Sequence, residues 1–217
     1  MEGMRIEASA METALAGDKR IKLVFLANPN NPTGTYLDRG TVDRLIAKVP
    51  AGSILVIDEA YAAFARAADF TSASPLINSY PNIIVVNTLS KSHGLAGLRV
   101  GFGLADKSII DILGRVKPPF NLNLLAIKAG AAALSDNGFV QDTLELTWNG
   151  LDYLERECSR LGLACVPSQT NFILVSIGPA ARLVYEELLR RGIITRYLEE
   201  PGLAGHLRIS IGLPQEN

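Results

Sequence analysis

The chain has 217 residues, 48% of them hydrophobic and 20% charged, with 19 glycines and 11 prolines. This composition excludes collagen-like and disordered classes and is long enough for roughly one and a half to two packed units. A formal net charge of −1 offers no basic field to hold nucleic acid or an anionic membrane surface.

Cys158 and Cys165 are the only cysteines, and only His93 and His206 are available to complete a metal site. A disulfide framework and a structural metal are therefore not expected. No apolar run is long enough to span a membrane, and residues 1–17 lack the basic-then-apolar order of a signal peptide. A soluble protein of the reducing cytoplasm is expected.

Residues 22–28 (KLVFLAN) form an apolar run ending in the breaker cluster 28–34 (NPNNPTG), the pattern of a buried strand leaving the core into a fixed loop. Val42, Leu45, Ile46 and Val49 fall at i, i+3, i+4 and i+7 and predict a helix. Pro50, Ala51 and Gly52 stop it before a second strand at 54–57. A third strand is expected at 82–86 (NIIVV) and a glycine-rich fourth at 100–105. Apolar strands alternating with helices predict an α/β fold whose parallel or mixed sheet is covered on both faces.

The pattern changes after about residue 123. An alanine-rich helix is expected at 124–134, and Leu144, Trp148, Leu151, Leu154, Cys158 and Leu161 carry a 3.6-residue stripe along one long helix from about Phe139. Trp148 and Cys158 read as core. A strand at 172–177, a helix at 179–191 and strands near 193–197 and 207–211 make a small α+β unit. The expected division is a partial large unit, 1–138, and a small C-terminal one, 139–217.

Three strand ends deliver polar residues that would be wasted in a core: Asn31 after the first, Asp58 and Tyr61 after the second, and Thr88, Ser90 and Lys91 after the third. In open α/β sheets the carboxyl ends of strands form the ligand crevice. A lysine after a strand is usually just solvated, but at a cleft mouth near other cations it can form a Schiff base with an aldehyde. Asp58 closes a buried apolar strand, where an unpaired carboxylate is costly, so it is expected to need a cationic or hydrogen-bond-donor partner. A protonated pyridine nitrogen would be one. Tyr61 and Asn31 can donate to a phenolate oxygen, and Thr88, Ser90 and Arg99 offer hydroxyls and a guanidinium fork suited to phosphate. Together these residues describe a site for pyridoxal 5'-phosphate. Dinucleotide and nucleoside-triphosphate sites lack their glycine motifs here. His93 reads as a polar loop residue.

The motifs NPNNPTG (28–34), DEAY (58–61) and TLSKSHGLAGLRVG (88–101) resemble, in order and spacing, the class I/II aminotransferases. PPFNLN (118–123) and the segment from Arg196 to LRIS (207–210) further resemble the histidinol-phosphate aminotransferase branch. The resemblance implies the pyridoxal-phosphate aminotransferase fold, with a mostly parallel sheet in a large domain and a small α+β domain. It makes Lys91 the lysine joined to the cofactor and Asp58 the partner of its ring nitrogen. Asn31 and Tyr61 would hold the phenolate oxygen, and Thr88, Ser90 and Arg99 the phosphate. Arg208 would grip the substrate's anionic end, assisted by Arg196, with Asn171 nearby or else a strand-entry asparagine.

The implied reaction is transamination between L-histidinol phosphate and 2-oxoglutarate in histidine biosynthesis, by a homodimer. Another pyridoxal-phosphate enzyme of the same fold, an aromatic aminotransferase or an amino-acid phosphate decarboxylase, stays open, as does a non-catalytic chain that pairs with a fuller subunit. Members of the family carry further residues before the first motif, with a glycine-rich phosphate loop, a ring-stacking aromatic and a tyrosine for the neighbouring subunit, and continue beyond the last one into a helix. The resemblance thus covers the middle and later part of a family member, and weak cofactor binding is expected of this chain alone.

Overall fold

The apolar runs become adjacent strands in the computed structural model, which describes residues 2–217. Strands β1 (Leu23–Ala27), β2 (Ile54–Asp58) and β3 (Ile83–Thr88) are parallel, and β4 (Gly101–Ala105) pairs antiparallel with β3, in the order β1-β2-β3-β4. Helix α1 (Ala8–Gly17) precedes the sheet. Helix α2 (Arg39–Lys48) starts where the Asp38 carboxylate accepts from the Thr41 amide at 2.9 Å, satisfying one of the free amides of a helix start. It buries Val42, Leu45 and Ile46 against Leu26, Leu55, Ile57, Ile83 and Val85.

The expectation of a sheet covered on both faces is met on one only. Phe25 is 70% exposed and Phe102 and Leu104 are open to solvent. Helix α3 (Lys107–Val116) buries none of its residues, and beyond it Phe120 is 99% exposed. Helix α4 (Leu124–Ala133) packs Ala126 beside Leu89 and Val100 but leaves Leu124 and Leu125 exposed. Among the described residues no helix is long and apolar enough to cross a membrane.

The second sheet is antiparallel, in the order β5-β6-β8-β7: β5 (Cys165–Val166), β6 (Phe172–Ser176), β8 (His206–Ser210) and β7 (Arg196–Tyr197). Strand β6 is buried on both faces. Helix α5 (Asn137–Arg160) lays Leu151 and Cys158, flanked by Trp148 and Leu154, against Ile173 and Val175. Helix α6 (Ala181–Arg190) follows. The strand expected from residue 193 begins only at Arg196 because the Gly192 and Ile193 amides close the end of α6, bonding the carbonyls of Leu189 and Leu188.

The two sheets are tied together where the loops meet. The Trp148 indole donates to the Phe64 carbonyl at 2.8 Å, and Arg66 pairs with Asp152. The Gln169 side-chain carbonyl accepts from the backbone amides of Arg66 and Ala67, while the Gln169 backbone amide donates to the Gly34 carbonyl. Gly34 holds φ +78°, and a Cβ there would lie 2.6 Å from Ser168 Oγ. Glycine is required by both conformation and space.

Candidate active site

The carboxyl ends of β1, β2 and β3 lie side by side, with Ala27 opposite Asp58 and Asp58 opposite Val86. The loop after β1 is fixed by a buried side chain the sequence reading did not single out. Asn28 accepts from the Leu37 amide at 2.8 Å and donates to the Leu37 carbonyl at 3.1 Å, and its own amide donates to the Asp58 carbonyl. This holds Asn31 at the sheet's edge, exposed.

Asp58 departs from expectation. Its side chain is exposed and accepts from the Ala60 amide at 2.9 Å, so burial creates no need for a cation. The buried carboxylate is the neighbouring Glu59, 2% exposed. Alternation along β2 already implies this, since Leu55 and Ile57 face the core and Glu59 follows them on the same side. Glu59 accepts from the Ser72 hydroxyl and the Ala73 amide, both at 2.6 Å. Burial pushes its pKa above the ordinary 4.5, and these two hydrogen bonds oppose the shift.

A folded state that binds the Glu59 proton more tightly than the unfolded chain loses stability as pH rises from about 4.5 through the raised value. Glu59→Gln is expected to flatten the dependence of Tm on pH in that window. Calorimetry at stepped pH checks this, and an unchanged slope would assign the dependence to other groups.

The structure brings five side chains into one run. Lys91 Nζ, on the loop just beyond β3, lies 5.4 Å from the centre of the Tyr61 ring. Tyr61 meets Phe172 edge-to-face at 5.3 Å. The Arg208 guanidinium lies over the Phe172 ring, 4.9 Å from its centre, and its Nη1 donates to Asn31 Oδ1 at 2.6 Å. Arg208 Nε is buried and has no partner among the described residues. A buried guanidinium nitrogen left without an acceptor is unfavourable.

The phosphate-type residues lie on the β3–β4 connection. The Thr88 hydroxyl accepts from the Ser90 amide at 3.1 Å and donates to the Val100 carbonyl at 3.3 Å. Arg99 takes φ +56° and donates to the Ala96 carbonyl. The chain can pass this closely because residue 101 is glycine: a Cβ there would sit 2.7 Å from the Asn87 carbonyl oxygen. Ser90 precedes Lys91 in the chain, but among the described residues no side-chain hydrogen bond or ring contact joins Thr88, Ser90 or Arg99 to the five-residue run.

Arg196 and Arg208 are direct partners across the antiparallel β7–β8 pair and therefore share a face. Like charges in that position repel unless an anion lies between them. Arg196 borders a cavity of about 280 Å³ together with Tyr185, Tyr197, Glu199 and Glu200. Asn171 is half-buried at the entrance to β6, where its carbonyl accepts from the Ile211 amide at 2.9 Å.

Other reactive groups are set apart. Burial lowers the pKa of His93, whose Nδ1 lies 3.1 Å from Ser92 Oγ. Burial, with the adjacent Cys158, pushes the Cys165 thiol up to about 12, which leaves it protonated and unreactive at neutral pH.

Comparison with known proteins identifies the framework. The sequence profile described as Aminotransferase class I and II matches residues 1–217. The chain belongs to this family. Among curated relatives, the chain is 44% identical over 200 residues to Histidinol-phosphate aminotransferase 2 of Pseudomonas fluorescens, covering 92% of the chain and 54% of the relative. It is 41% identical over 204 residues to Histidinol-phosphate aminotransferase 1 of Idiomarina loihiensis, covering 94% of the chain and 56% of the relative. The chain thus spans about half the length of these relatives.

A crystal structure of histidinol-phosphate aminotransferase from Sinorhizobium meliloti, in complex with pyridoxal-5'-phosphate, superposes with a TM-score of 0.90 at 29% identity, over 98% of the chain and 58% of that protein. L-threonine-O-3-phosphate decarboxylase from Porphyromonas gingivalis gives 0.78 at 26% identity, over 91% and 62%. The pyridoxal-phosphate fold expected from the motifs is the one observed.

Proposed function

We propose that this chain carries the pyridoxal-phosphate and substrate-anion residues of an enzyme that moves an amino group from L-histidinol phosphate to 2-oxoglutarate, giving imidazole acetol phosphate and L-glutamate. The observation that carries the reading is the Arg208 fork. It is anchored on Asn31, leaves Nε without an acceptor and faces Arg196 across the strand pair. A guanidinium pairs bidentately with either phosphate or carboxylate, so one seat serves both the phosphorylated donor and the dicarboxylate acceptor.

The donor set fits the cofactor. Arginine is a donor only, so its bond to Asn31 Oδ1 turns the Asn31 amide nitrogen outward, free to donate to a phenolate oxygen together with the Tyr61 hydroxyl. Asp58 presents an exposed carboxylate at the strand end for a protonated ring nitrogen. Thr88, Ser90 and Arg99 would bind the phosphate. When bound, the cofactor supplies the electron sink that the carbanion chemistry needs. Lys91 provides the amine that attaches the cofactor and, once free, carries a proton at Nζ between substrate and cofactor carbons. The open apolar surface of α3, α4 and β4 supports a homodimer, and the free cysteines suit a cytoplasmic setting.

Titration of the chain with pyridoxal phosphate, followed by absorbance, tests the reading. Cofactor bound through Lys91 is expected to change its absorption band, and histidinol phosphate and glutamate are each expected to convert it to the amine form. Carbon dioxide released from an amino-acid phosphate, or conversion by aromatic amino acids alone, would replace the proposed substrates. No spectral change at all would overturn the cofactor assignment.

A further inference from the structure

We propose that Phe172 is a positioning residue that holds the Arg208 fork and the Tyr61 ring in a fixed relation across the two sheets. The inference deepens the anion-seat reading and rests on it for its consequence, though not for its geometry. Phe172 opens β6 in the second sheet, whereas Tyr61 follows β2 in the first. Its ring is 2% exposed. Tyr61 meets it edge-to-face at 5.3 Å with an interplanar angle of 88°, and the Arg208 guanidinium lies 4.9 Å from its centre.

The ring matters because Arg208 is otherwise weakly constrained. Among the described residues its only side-chain hydrogen bond runs from Nη1 to Asn31, and one such bond leaves the guanidinium free to turn about it. A two-pronged grip on an anion needs the plane of the fork fixed as well as its position. The face of Phe172 supplies that second constraint, since a cation is attracted to the negative face of an aromatic ring. The same ring meets Tyr61, over which Lys91 Nζ lies at 5.4 Å. One buried side chain therefore registers the anion seat against the side of the site where Lys91 and Tyr61 stand.

A filler role would predict loss of stability only, so the test compares two buried rings of one cluster. Phe64 is 1% exposed and packs with Tyr61 and Phe172 but makes no aromatic contact with Arg208. In the full chain, the motion of the Arg208 Nε–H group is measured by ¹⁵N relaxation, with the signal assigned through Arg208→Lys. Affinity for inorganic phosphate and for glutarate is measured by calorimetry.

Phe172→Leu is expected to turn Arg208 from an ordered into a mobile group and to weaken both anions roughly three- to tenfold. Phe64→Leu should lower Tm comparably and leave both readouts alone. Should the leucine variant fail to fold, Phe172→Met, with an unbranched chain that adapts to the space, provides the same comparison. An Arg208 as ordered in the Phe172 variant as in the parent, or equally loosened by Phe64→Leu, would overturn the proposal. If Arg208 loosens only in the Phe172 variant while the parent binds neither anion, the positioning role stands and the anion-seat reading falls.

Discussion

Replacing Lys91 by alanine is expected to abolish the proposed transamination, with kcat falling by a factor on the order of 10³ or more, and to leave the fold intact. The magnitude follows from two roles lost together, attachment of the cofactor and general acid–base transfer, the second alone being worth about 10² to 10⁴. The fold is spared because Lys91 is only half-buried, and its one aromatic contact, over Tyr61, is a cation–π interaction worth roughly 0.5–1 kcal/mol at an accessible site. Borohydride reduction of the cofactor-loaded chain, followed by peptide mapping, provides the direct check. The pyridoxyl group is expected on Lys91. Lys107 is engaged with Asp111 on the outer surface of α3, and Lys117 and Lys128 lie beyond and on other elements. A label on any of these three would transfer the role away from Lys91.

The parts of this site that could be read from the sequence are those whose signal is local. An apolar run followed by polar residues marks a strand end, and β1, β2 and β3 each show one, which puts Asn31, Tyr61 and Lys91 at one edge from the sequence alone. The contact of Phe172 with Tyr61 and Arg208 was not legible, because it joins two sheets through a side chain that by itself reads as ordinary core. Asn28 was passed over as one member of a breaker cluster, although its buried amide is what fixes that loop.

The inversion at Asp58 and Glu59 has a different origin. Closing an apolar strand was taken to mean burial, whereas the period of two turns consecutive residues to opposite faces. Helices α1 and α3 escaped for another reason. In α3 the apolar positions Ile109, Ile110, Ile112, Leu113 and Val116 suit a helix, but ten residues between the glycine-rich fourth strand and the PPF segment carry no breaker at the helix start and bury none of the stripe, so no element is assigned to them from sequence. Strand β5 has two residues, too few to show any period.

Asp58→Ala is expected to separate chemistry from folding. The carboxylate is exposed and its one protein partner is the Ala60 amide at 2.9 Å, so the substitution should cost at most about 1 kcal/mol of stability. Its proposed task is larger. A carboxylate beside the ring nitrogen keeps that nitrogen protonated, and in a site closed to water such preorganised charge is worth about 10² to 10³ in kcat. Binding of the ring supplies the exclusion of water that the bare strand end lacks, so the full effect of Asp58 arises only in the loaded protein. Asp58→Asn should resemble alanine, since an amide keeps the shape and loses the charge. A pyridoxal phosphate analogue methylated at the ring nitrogen carries the positive charge permanently and should restore part of the lost rate to Asp58→Ala. Glu59→Gln provides the opposite pattern, a change in the pH dependence of Tm originating in the core. An Asp58→Ala protein with near-parental turnover and a lowered Tm would make Asp58 structural, and a failure of the methylated analogue to restore any rate would remove the ring nitrogen as its partner.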